Sequence, residues 1–318
     1  MFPQDPESFN HKWAYINGIR MHYVEEGPAD GPLIVLSHGY PDFWYGWRNQ
    51  IPYLAAKGYH VICPDQRGFG QSYGPYVAPG DTENLKQYGW KNITKDLADL
   101  LTYVSGSSTS KAIFLGHDWG GIVVWRMAGW YPERVRAVAA VCTPYDPPKT
   151  KWFCEPQTDT DLLQNAELYF KMMLRGRKDG HARLFATEHM KGLDPKTYPL
   201  GSIVTQKDID YYVLNYKRSG FHAPLNWYRT REINYKDELV LPKNLDLECL
   251  MVIATQDPAL PPSMAKNMSK YVKNCTYKTV EAAHWMGAEQ PAQLNAILGE
   301  WLDVIKTKVP LKQTGSHL

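Results

Sequence analysis

The sequence predicts an α/β fold in which a mostly parallel central sheet, flanked by helices, carries an inserted helical lid. Short apolar runs alternate with segments of helical periodicity over residues 33–143, as they do in a doubly wound sheet. The alternation stops near residue 145 and resumes near residue 249. A length of 318 residues, of which 44% are hydrophobic, suits one large domain with such an insertion.

The first half of the sheet is predicted element by element. WAYING (13–18) and IRMHYVEEG (19–27) alternate apolar and polar residues around a turn, which is typical of a hairpin. Continuous apolar runs indicate buried parallel strands, which we expect at residues 33–39, 59–65, 112–116 and 135–143. Apolar residues recur with helical spacing between these runs, which predicts helices at residues 44–58, 92–104 and 120–130.

Residues 145–232 are predicted to form the lid, because they are mainly polar, contain no strong strand pattern and follow a proline-rich segment. The core is then expected in two parts, residues 1–144 and 233–318. The second part has predicted strands at 249–257 and 275–284 and a helix at 292–305. An insertion at this point of the chain would cover the carboxyl edge of the sheet, where ligands bind in such folds.

Composition and charge exclude several classes of function. The net charge of +2 and the lack of a basic stripe argue against nucleic acid as a partner. We expect neither a signal peptide nor a membrane span, because the first residues contain no apolar segment and no apolar run is long enough. RGFGQS (67–72) contains Gly-x-Gly, but Tyr73 stands where a dinucleotide-binding loop needs its third glycine, so no cofactor is expected.

Cysteine usage and the last residues of the chain bear on the compartment. Five scattered cysteines without paired short spacings predict buried free thiols in a reducing compartment, and no disulfide frame or metal site. Ser316, His317 and Leu318 are similar to a Ser-Lys-Leu peroxisomal address. We therefore expect an intracellular protein, either cytoplasmic or peroxisomal.

GHDWGG (116–121) lies between a predicted strand and a predicted helix. Gly-x-Asp-x-Gly has the spacing of the nucleophile elbow of α/β-hydrolases, with Asp118 where a serine usually stands. Such an elbow exposes its central side chain and directs a helix N-terminus at it. The alternative is an ordinary helix N-cap, a common role for aspartate.

Two residues farther along the chain favour the nucleophile over the cap. In α/β-hydrolases the order is nucleophile, acid, histidine, and Asp257 and His284 follow the ends of two successive predicted strands in that order. A histidine oriented by a carboxylate can activate water. A turn residue before Pro258 and a loop histidine are the alternatives, and Asp146 is a rival acid whose proline-rich surroundings favour a turn.

The loop HGYP (38–41) ends another predicted strand. Backbone N–H groups on this loop and directly after the nucleophile form the oxyanion hole of the fold, which nominates the main-chain donors of Tyr40 and Trp119. His38 and His117 are expected to be structural, because His284 already supplies the base in the expected order.

The chain resembles the soluble epoxide hydrolases of the α/β-hydrolase superfamily. The resemblance rests on HGYPDFWYGWRNQIPYLA, PDQRGFGQS, GHDWGG, SGFHAPLNWYR, the Asp257 loop and the AHW around His284, and it extends from residue 13 to residue 305. It implies that Asp118 opens an epoxide to form an alkyl ester. Unlike a seryl ether, that ester can be hydrolysed, by water that His284 and Asp257 activate, to give a vicinal diol.

The resemblance also implies two lid tyrosines that donate a proton to the opened ring. Tyr228 in SGFHAPLNWYR matches one of them. Ala166 stands at the position of the other, and Tyr169, one helical turn farther on, is a candidate replacement because positions three apart share a helix face.

Two other functions stay open from the sequence. A haloalkane or haloacid dehalogenase would use the same aspartate and would bind halide through Trp119 and a lid residue such as Trp152 or Trp227. A non-catalytic ligand-binding protein on the same fold is the second alternative. The aromatic composition, 13% of residues, favours an apolar or aryl epoxide as the substrate. The oligomeric state stays open, a homodimer included.

Overall fold

The computed structural model describes residues 3–148, 159–180 and 187–308. Trp152, Cys154 and the Ser316-His317-Leu318 terminus, on which predictions were made, lie outside these residues. Of the described chain, no helix combines the length and the apolar character needed to cross a membrane.

The described residues confirm the predicted α/β fold with a mostly parallel sheet. Eight strands form the sheet: β1 His11–Ile16, β2 Ile19–Glu26, β3 Leu33–Ser37, β4 His60–Pro64, β5 Ala112–His117, β6 Val135–Val141, β7 Cys249–Ala254 and β8 Cys275–Val280. Their order across the sheet is β1-β2-β4-β3-β5-β6-β7-β8. β1 and β2 pair antiparallel, as does β2 with β4, and all other neighbours are parallel.

The helices of the described residues are α1 Ile51–Ala56, α2 Thr82–Leu85, α3 Trp90–Ser105, α4 Trp119–Trp130, α5 Asp159–Gln164, α6 Ala166–Met173, α7 Gln206–Ser219, α8 His222–Arg229, α9 Arg231–Glu238, α10 Met286–Glu289 and α11 Pro291–Lys308. The single helix predicted at residues 44–58 is wrong. A 3-10 turn, Trp44–Trp47, precedes a separate α1 that has Pro52 in its first turn. Proline lacks an N–H and fits the first helical turn, so the helix begins there and does not run through.

Helices α5 to α9 follow β6 and precede β7, where the lid was predicted. α9 runs across residue 232 and ends at Glu238, and the division of the chain at residues 144/145 and 232/233 stays a prediction. Buried hydrogen bonds join these helices to the core. Tyr212 donates to Asp42 Oδ1 over 2.7 Å, and Tyr45 donates to Asp208 Oδ1 over 2.8 Å.

The carboxyl ends of β3, β5, β6, β7 and β8 lie at one edge of the sheet, because these five strands run parallel. The loops that leave them contain Tyr40, Asp118, Thr143, Asp257 and His284. Strands β3 and β4 are entirely buried. The loops at this edge of the sheet are therefore attached to a tightly packed core.

Candidate active site

Asp118 stands at the junction of β5 and α4 with φ 53° and ψ −126°. A non-glycine residue in such a conformation costs on the order of 1–3 kcal/mol and persists where its surroundings hold it. The Thr143 hydroxyl and the Gly121 N–H hold this turn by donating to the main-chain oxygen of Asp118 over 2.7 and 2.9 Å. The carboxylate makes no side-chain capping bond of the usual kind, which would go to the second or third N–H of α4, so Asp118 does not match the ordinary helix N-cap that the sequence left open.

Two glycines make room for this elbow. A Cβ at Gly120 would lie 2.1 Å from the main-chain oxygen of Ser37, so only glycine lets α4 start this close to β3. A Cβ at Gly39 would lie 2.2 Å from Asp118 Oδ1. The carboxylate therefore occupies space that any larger residue at position 39 would take.

The Asp118 carboxylate is held by main-chain donors. The N–H of Tyr40 donates to Oδ1 over 2.8 Å, and the N–H of Trp119 bonds the same carboxylate. Burial raises the pKa of Asp118, but the hydrogen bond and charge of His284, together with the Trp119 N–H, outweigh it and hold the pKa below its usual value. The group is therefore an ionised carboxylate, and its side chain is 16% exposed.

His284 lies between two carboxylates. Its Nδ1 is 2.8 Å from Asp257 Oδ2 and its Nε2 is 3.5 Å from Asp118 Oδ2. Burial lowers the pKa of His284, but the charge of Asp257 and the hydrogen bonds to both carboxylates outweigh it and raise the pKa to about 10. The structure thus brings together the three residues that the sequence nominated as nucleophile, acid and base.

Asp257 is fixed from its other side. Its Oδ1 accepts from the N–H groups of Ala259 and Leu260 over 2.8 and 2.9 Å. Burial raises the pKa of Asp257, and the charge and hydrogen bond of His284, helped by these two donors, lower it to about 2. An ionised Asp257 keeps the Nδ1 proton of His284 in place, which leaves Nε2 directed at Asp118.

The other histidines near the elbow have structural partners. His38 has Nδ1 2.9 Å from the oxygen of Gly39, and its Nε2 accepts from the N–H of Gln66 over 2.9 Å. Burial lowers its pKa to about 4. His117 Nε2 lies 2.8 Å from the main-chain oxygen of His284, and burial lowers its pKa to about 4 as well. Both rings are neutral and hold loops.

The rival acid is not the partner of the base, because His284 Nδ1 bonds Asp257. Asp146 accepts a hydrogen bond at its main-chain oxygen from Arg126 over 3.0 Å. Trp227, in the predicted lid, donates its indole N–H to the main-chain oxygen of Arg67 over 3.2 Å. The indole N–H of Trp227, which the sequence proposed as a halide ligand, is therefore already used in a hydrogen bond within the protein.

Tyr228 and Tyr169 both contact Tyr40, the residue whose N–H bonds the Asp118 carboxylate. Tyr228 packs edge-on against Tyr40 and Trp119, with centroid distances of 5.3 and 4.8 Å. The Tyr169 hydroxyl donates to the Tyr40 hydroxyl over 3.1 Å. Burial raises the pKa of Tyr169, and the charge of Asp118 adds to it. Ala166 lies at the start of α6, one turn before Tyr169, and is buried.

Sequence reasoning missed two groups here. Thr143, which fixes the elbow, follows β6 directly, and its position at the end of a buried strand was the available signal. The phenol of Tyr40 was also missed, because only the main-chain donor of this residue was considered.

His117, Cys142 and His284 have side-chain donor atoms within 4.8 Å of one another, which is the spacing of a metal site. Each of them already has a bond inside the protein. His117 Nε2 and the Cys142 thiol contact the main-chain oxygen of His284 at 2.8 and 3.5 Å, and His284 Nδ1 bonds Asp257. These bonds favour a structural role for the group.

The geometry favours nucleophilic attack by the Asp118 carboxylate, followed by hydrolysis of the covalent intermediate. The Tyr40 N–H contacts one oxygen of an ionised carboxylate, and a histidine oriented by a second carboxylate stands beside the other oxygen. This arrangement suits a covalent intermediate that water can cleave.

Comparison with known proteins places this chain among named relatives. The model of the alpha/beta hydrolase fold family matches residues 32–291. The chain is 34% identical over 329 residues to bifunctional epoxide hydrolase 2 of Sus scrofa, covering 94% of this chain and 56% of that protein. The chain thus spans about half the length of these bifunctional relatives.

Other relatives match over nearly their whole length. Epoxide hydrolase A of Mycobacterium tuberculosis is 32% identical, with 90% of this chain and 95% of that protein covered. Epoxide hydrolase srdG of Neurospora crassa is 31% identical, with 94% and 97% covered. The crystal structure of epoxide hydrolase A from Mycobacterium thermoresistibile is similar with a TM-score of 0.77 and 30% identity, covering 93% of this chain and 98% of that one.

Proposed function

Since the chain belongs to the α/β-hydrolase fold family and, within it, to the epoxide hydrolases, we propose that it opens an epoxide to a vicinal diol through an ester of Asp118. The observation that carries the proposal is an ionised carboxylate at the elbow with His284 Nε2 3.5 Å from Oδ2. A carboxylate suits an sp³ carbon, because the alkyl ester that it forms can be hydrolysed.

In the first step an oxygen of Asp118 attacks an epoxide carbon in line with the breaking C–O bond. A C–O bond to the enzyme forms, the ring C–O bond breaks, and its electron pair stays on the departing oxygen. A phenol gives that oxygen a proton and becomes a phenolate. Tyr228 and Tyr169 are the proposed donors, because burial keeps the Tyr169 phenol protonated and both rings lie close to Tyr40.

The second step depends on a change of charge at Asp118. Esterification removes one of the two negative charges that raise the pKa of His284, so its imidazolium becomes a stronger acid and returns a proton to the phenolate. The neutral imidazole then takes a proton from water, which attacks the ester carbonyl. The N–H groups of Tyr40 and Trp119 stabilise the resulting oxyanion.

Collapse of the tetrahedral intermediate restores the starting state. The C–O bond between the former Asp118 carbonyl carbon and the diol oxygen breaks, and the diol oxygen takes the proton of the newly formed carboxylic acid. Asp118 is again a carboxylate, His284 again an imidazolium and the phenol again protonated. The sum is epoxide plus water to diol, without a cofactor.

The surroundings of Asp118 support an apolar or aryl substrate. Tyr40, Tyr228 and Trp119 form edge-to-face ring contacts beside it, and aromatic walls bind apolar groups by excluding water.

The proposed ester can be tested with His284→Gln, which removes the base for the second step. Mixed with styrene oxide, this variant should gain the mass of one epoxide, and peptide mapping should place the adduct on Asp118. The double variant Asp118→Ala/His284→Gln is the control and should stay unmodified. An unmodified His284→Gln protein, under conditions where the native protein forms diol, would contradict the proposal.

A dehalogenase is the second candidate, favoured by Trp119 directly after the nucleophile, since an indole N–H can bind halide. The hydrogen bond of Trp227 to Arg67 weighs against it. Halide release from a haloalkane, measured beside diol formation from an epoxide, separates the two functions.

A further inference from the structure

The side chain of Tyr40 holds a position that its main-chain role does not explain. Its N–H donates to Asp118 Oδ1 over 2.8 Å, and its hydroxyl lies 3.1 Å from the hydroxyl of Tyr169. The residue is 2% exposed. One residue of the loop after β3 therefore contacts the nucleophile through its backbone and a candidate proton donor through its phenol.

The position of this phenol is fixed from several sides. Its ring packs edge-on against Tyr228, with centroids 5.3 Å apart, and against Phe69 at 6.4 Å. Because the main chain of the same residue is bonded to Asp118, the phenol oxygen has little freedom relative to the nucleophile. Preorganised donors of this kind stabilise developing charge most strongly.

The protonation state of the phenol suits a donor. Burial raises the pKa of Tyr40 well above its usual value. The hydroxyl is neutral in the resting protein, and so is that of Tyr169, whose pKa burial also raises. The Tyr169 hydroxyl donates to the Tyr40 hydroxyl, and two phenols joined in this way polarise each other. The Tyr40 hydroxyl, which accepts this bond, therefore becomes a better donor to a third group.

We propose that Tyr40 is a further catalytic residue, whose phenol acts as one unit with Tyr169 and donates to the oxygen of the opened epoxide opposite Tyr228. The inference rests on the proposed function and assigns Tyr40 a part in both steps. Its hydroxyl acts in ring opening, and its N–H acts in ester hydrolysis.

The proton transfer balances within the pair. As the ring C–O bond breaks, one phenol O–H bond breaks and a new O–H bond forms on the departing oxygen. The phenolate that remains is stabilised by the hydrogen bond from the other phenol. It regains its proton from the His284 imidazolium once Asp118 is esterified, so no outside reactant is required.

Tyr40→Phe separates the two parts, because it removes only the hydroxyl and keeps the ring and the main-chain N–H. In the His284→Gln background, where the ester accumulates, formation of the ester from styrene oxide should slow by ~10²-fold. With His284 intact, hydrolysis of the ester should change far less. Tyr169→Phe and the double variant Tyr40→Phe/Tyr169→Phe should each slow ester formation about as much as Tyr40→Phe does. The effects of groups that act as one unit are not additive.

A second readout excludes a merely structural role. The loss caused by Tyr40→Phe should shrink for epoxides whose departing alkoxide is made less basic by electron-withdrawing substituents, because a weaker base needs less help from an acid. A packing defect would slow all of these epoxides equally. Tyr145→Phe is the matched control, since Tyr145 is a buried tyrosine that donates to the main-chain oxygen of Lys243 over 3.1 Å. It should react at the native rate.

The outcomes distinguish this inference from the proposed function. If His284→Gln forms the ester and the added Tyr40→Phe change leaves its rate unaltered, only the role of Tyr40 is overturned. If Tyr40→Phe slows the reaction of all of the epoxides by the same factor, the proposed role of Tyr40 is also overturned. If His284→Gln forms no ester at all, the proposed function itself fails. Tyr169→Phe tests the same pair from the lid side should Tyr40→Phe not fold.

Discussion

The His284–Asp257 pair and the His22–Asp65 pair have nearly the same local geometry. In each pair the histidine Nδ1 lies close to the aspartate Oδ2, at 2.8 Å in the first and 2.7 Å in the second. Both aspartates are buried and accept two main-chain N–H groups, from Ala259 and Leu260 in one case and from Trp44 and Gln71 in the other.

The pairs differ in what the second histidine nitrogen faces. His284 Nε2 is directed at Asp118, 3.5 Å away at the elbow. His22 Nε2 bonds His11 Nδ1 over 2.8 Å, and His11 Nε2 in turn lies 3.0 Å from the main-chain oxygen of Pro6. A histidine–aspartate pair is therefore not a sign of catalysis by itself. The reactive pair is the one whose remaining nitrogen meets a nucleophile.

The largest effect is expected from removing the nucleophile. Asp118→Ala should lower diol formation at least ~10⁴-fold, because no ester can form. Asp65→Asn should leave diol formation per folded molecule within about tenfold, because loss of a structural hydrogen bond acts mainly on stability. Diol yield normalised to folded protein, by circular dichroism, checks both. If the Asp118→Ala protein still formed diol, Asp118 would not be the nucleophile, and the contrast between the two histidine–aspartate pairs would fail.

Exchange of each histidine for glutamine sharpens the same contrast. His284→Gln should stop turnover after one ester. His22→Gln should accumulate no ester and should instead lose about 1–3 kcal/mol in the free energy of unfolding, since it leaves buried polar groups unpaired. Chemical denaturation and intact-mass spectrometry on both variants provide the measurements. Ester accumulation in His22→Gln would show that the two pairs are not distinct in function.

The orienting acid should have an intermediate effect. Asp257→Asn keeps the shape but loses the charge that holds the Nδ1 proton of His284, so hydrolysis of the ester should slow by ~10²–10⁴-fold while its formation slows less. Rapid-quench measurements of both steps test this split. Equal slowing of the two steps would argue that Asp257 acts on the fold alone.

The smallest effect is a pH dependence of stability. His284 has a pKa of about 10 in the folded protein against an ordinary 6.5, so its contribution is complete below pH 6.5 and is lost as the pH rises through 10. The melting temperature of the native protein should fall relative to that of His284→Gln across this interval. A constant difference between the two proteins would show that the histidine is not held as an imidazolium.

The order of the candidate triad was predictable because it depends on local pattern. Asp118 and Asp257 follow β5 and β7, which are buried apolar runs, and His284 follows the mostly exposed edge strand β8, whose residues alternate less clearly. The His22–Asp65 pair was not predictable, because it requires β2 to lie antiparallel beside β4, a tertiary contact that no local pattern encodes.

Between β6 and β7 the sequence predicts helices, and the described residues contain them there. Periodicity indicates helices but not where they dock, so the contact of Tyr169 with Tyr40 could not be predicted from the sequence. The break between residues 47 and 51 was missed because the apolar spacing continues across Pro52, whose missing N–H decides where α1 begins.

The most direct test of the covalent step is a single turnover in water labelled with oxygen-18, with protein in excess over epoxide. Ester hydrolysis by attack at the Asp118 carbonyl carbon should put the heavy oxygen into the peptide that contains Asp118 and leave the diol of the first turnover unlabelled. A labelled diol together with an unlabelled peptide would mean that water attacks the epoxide directly, and it would contradict the account.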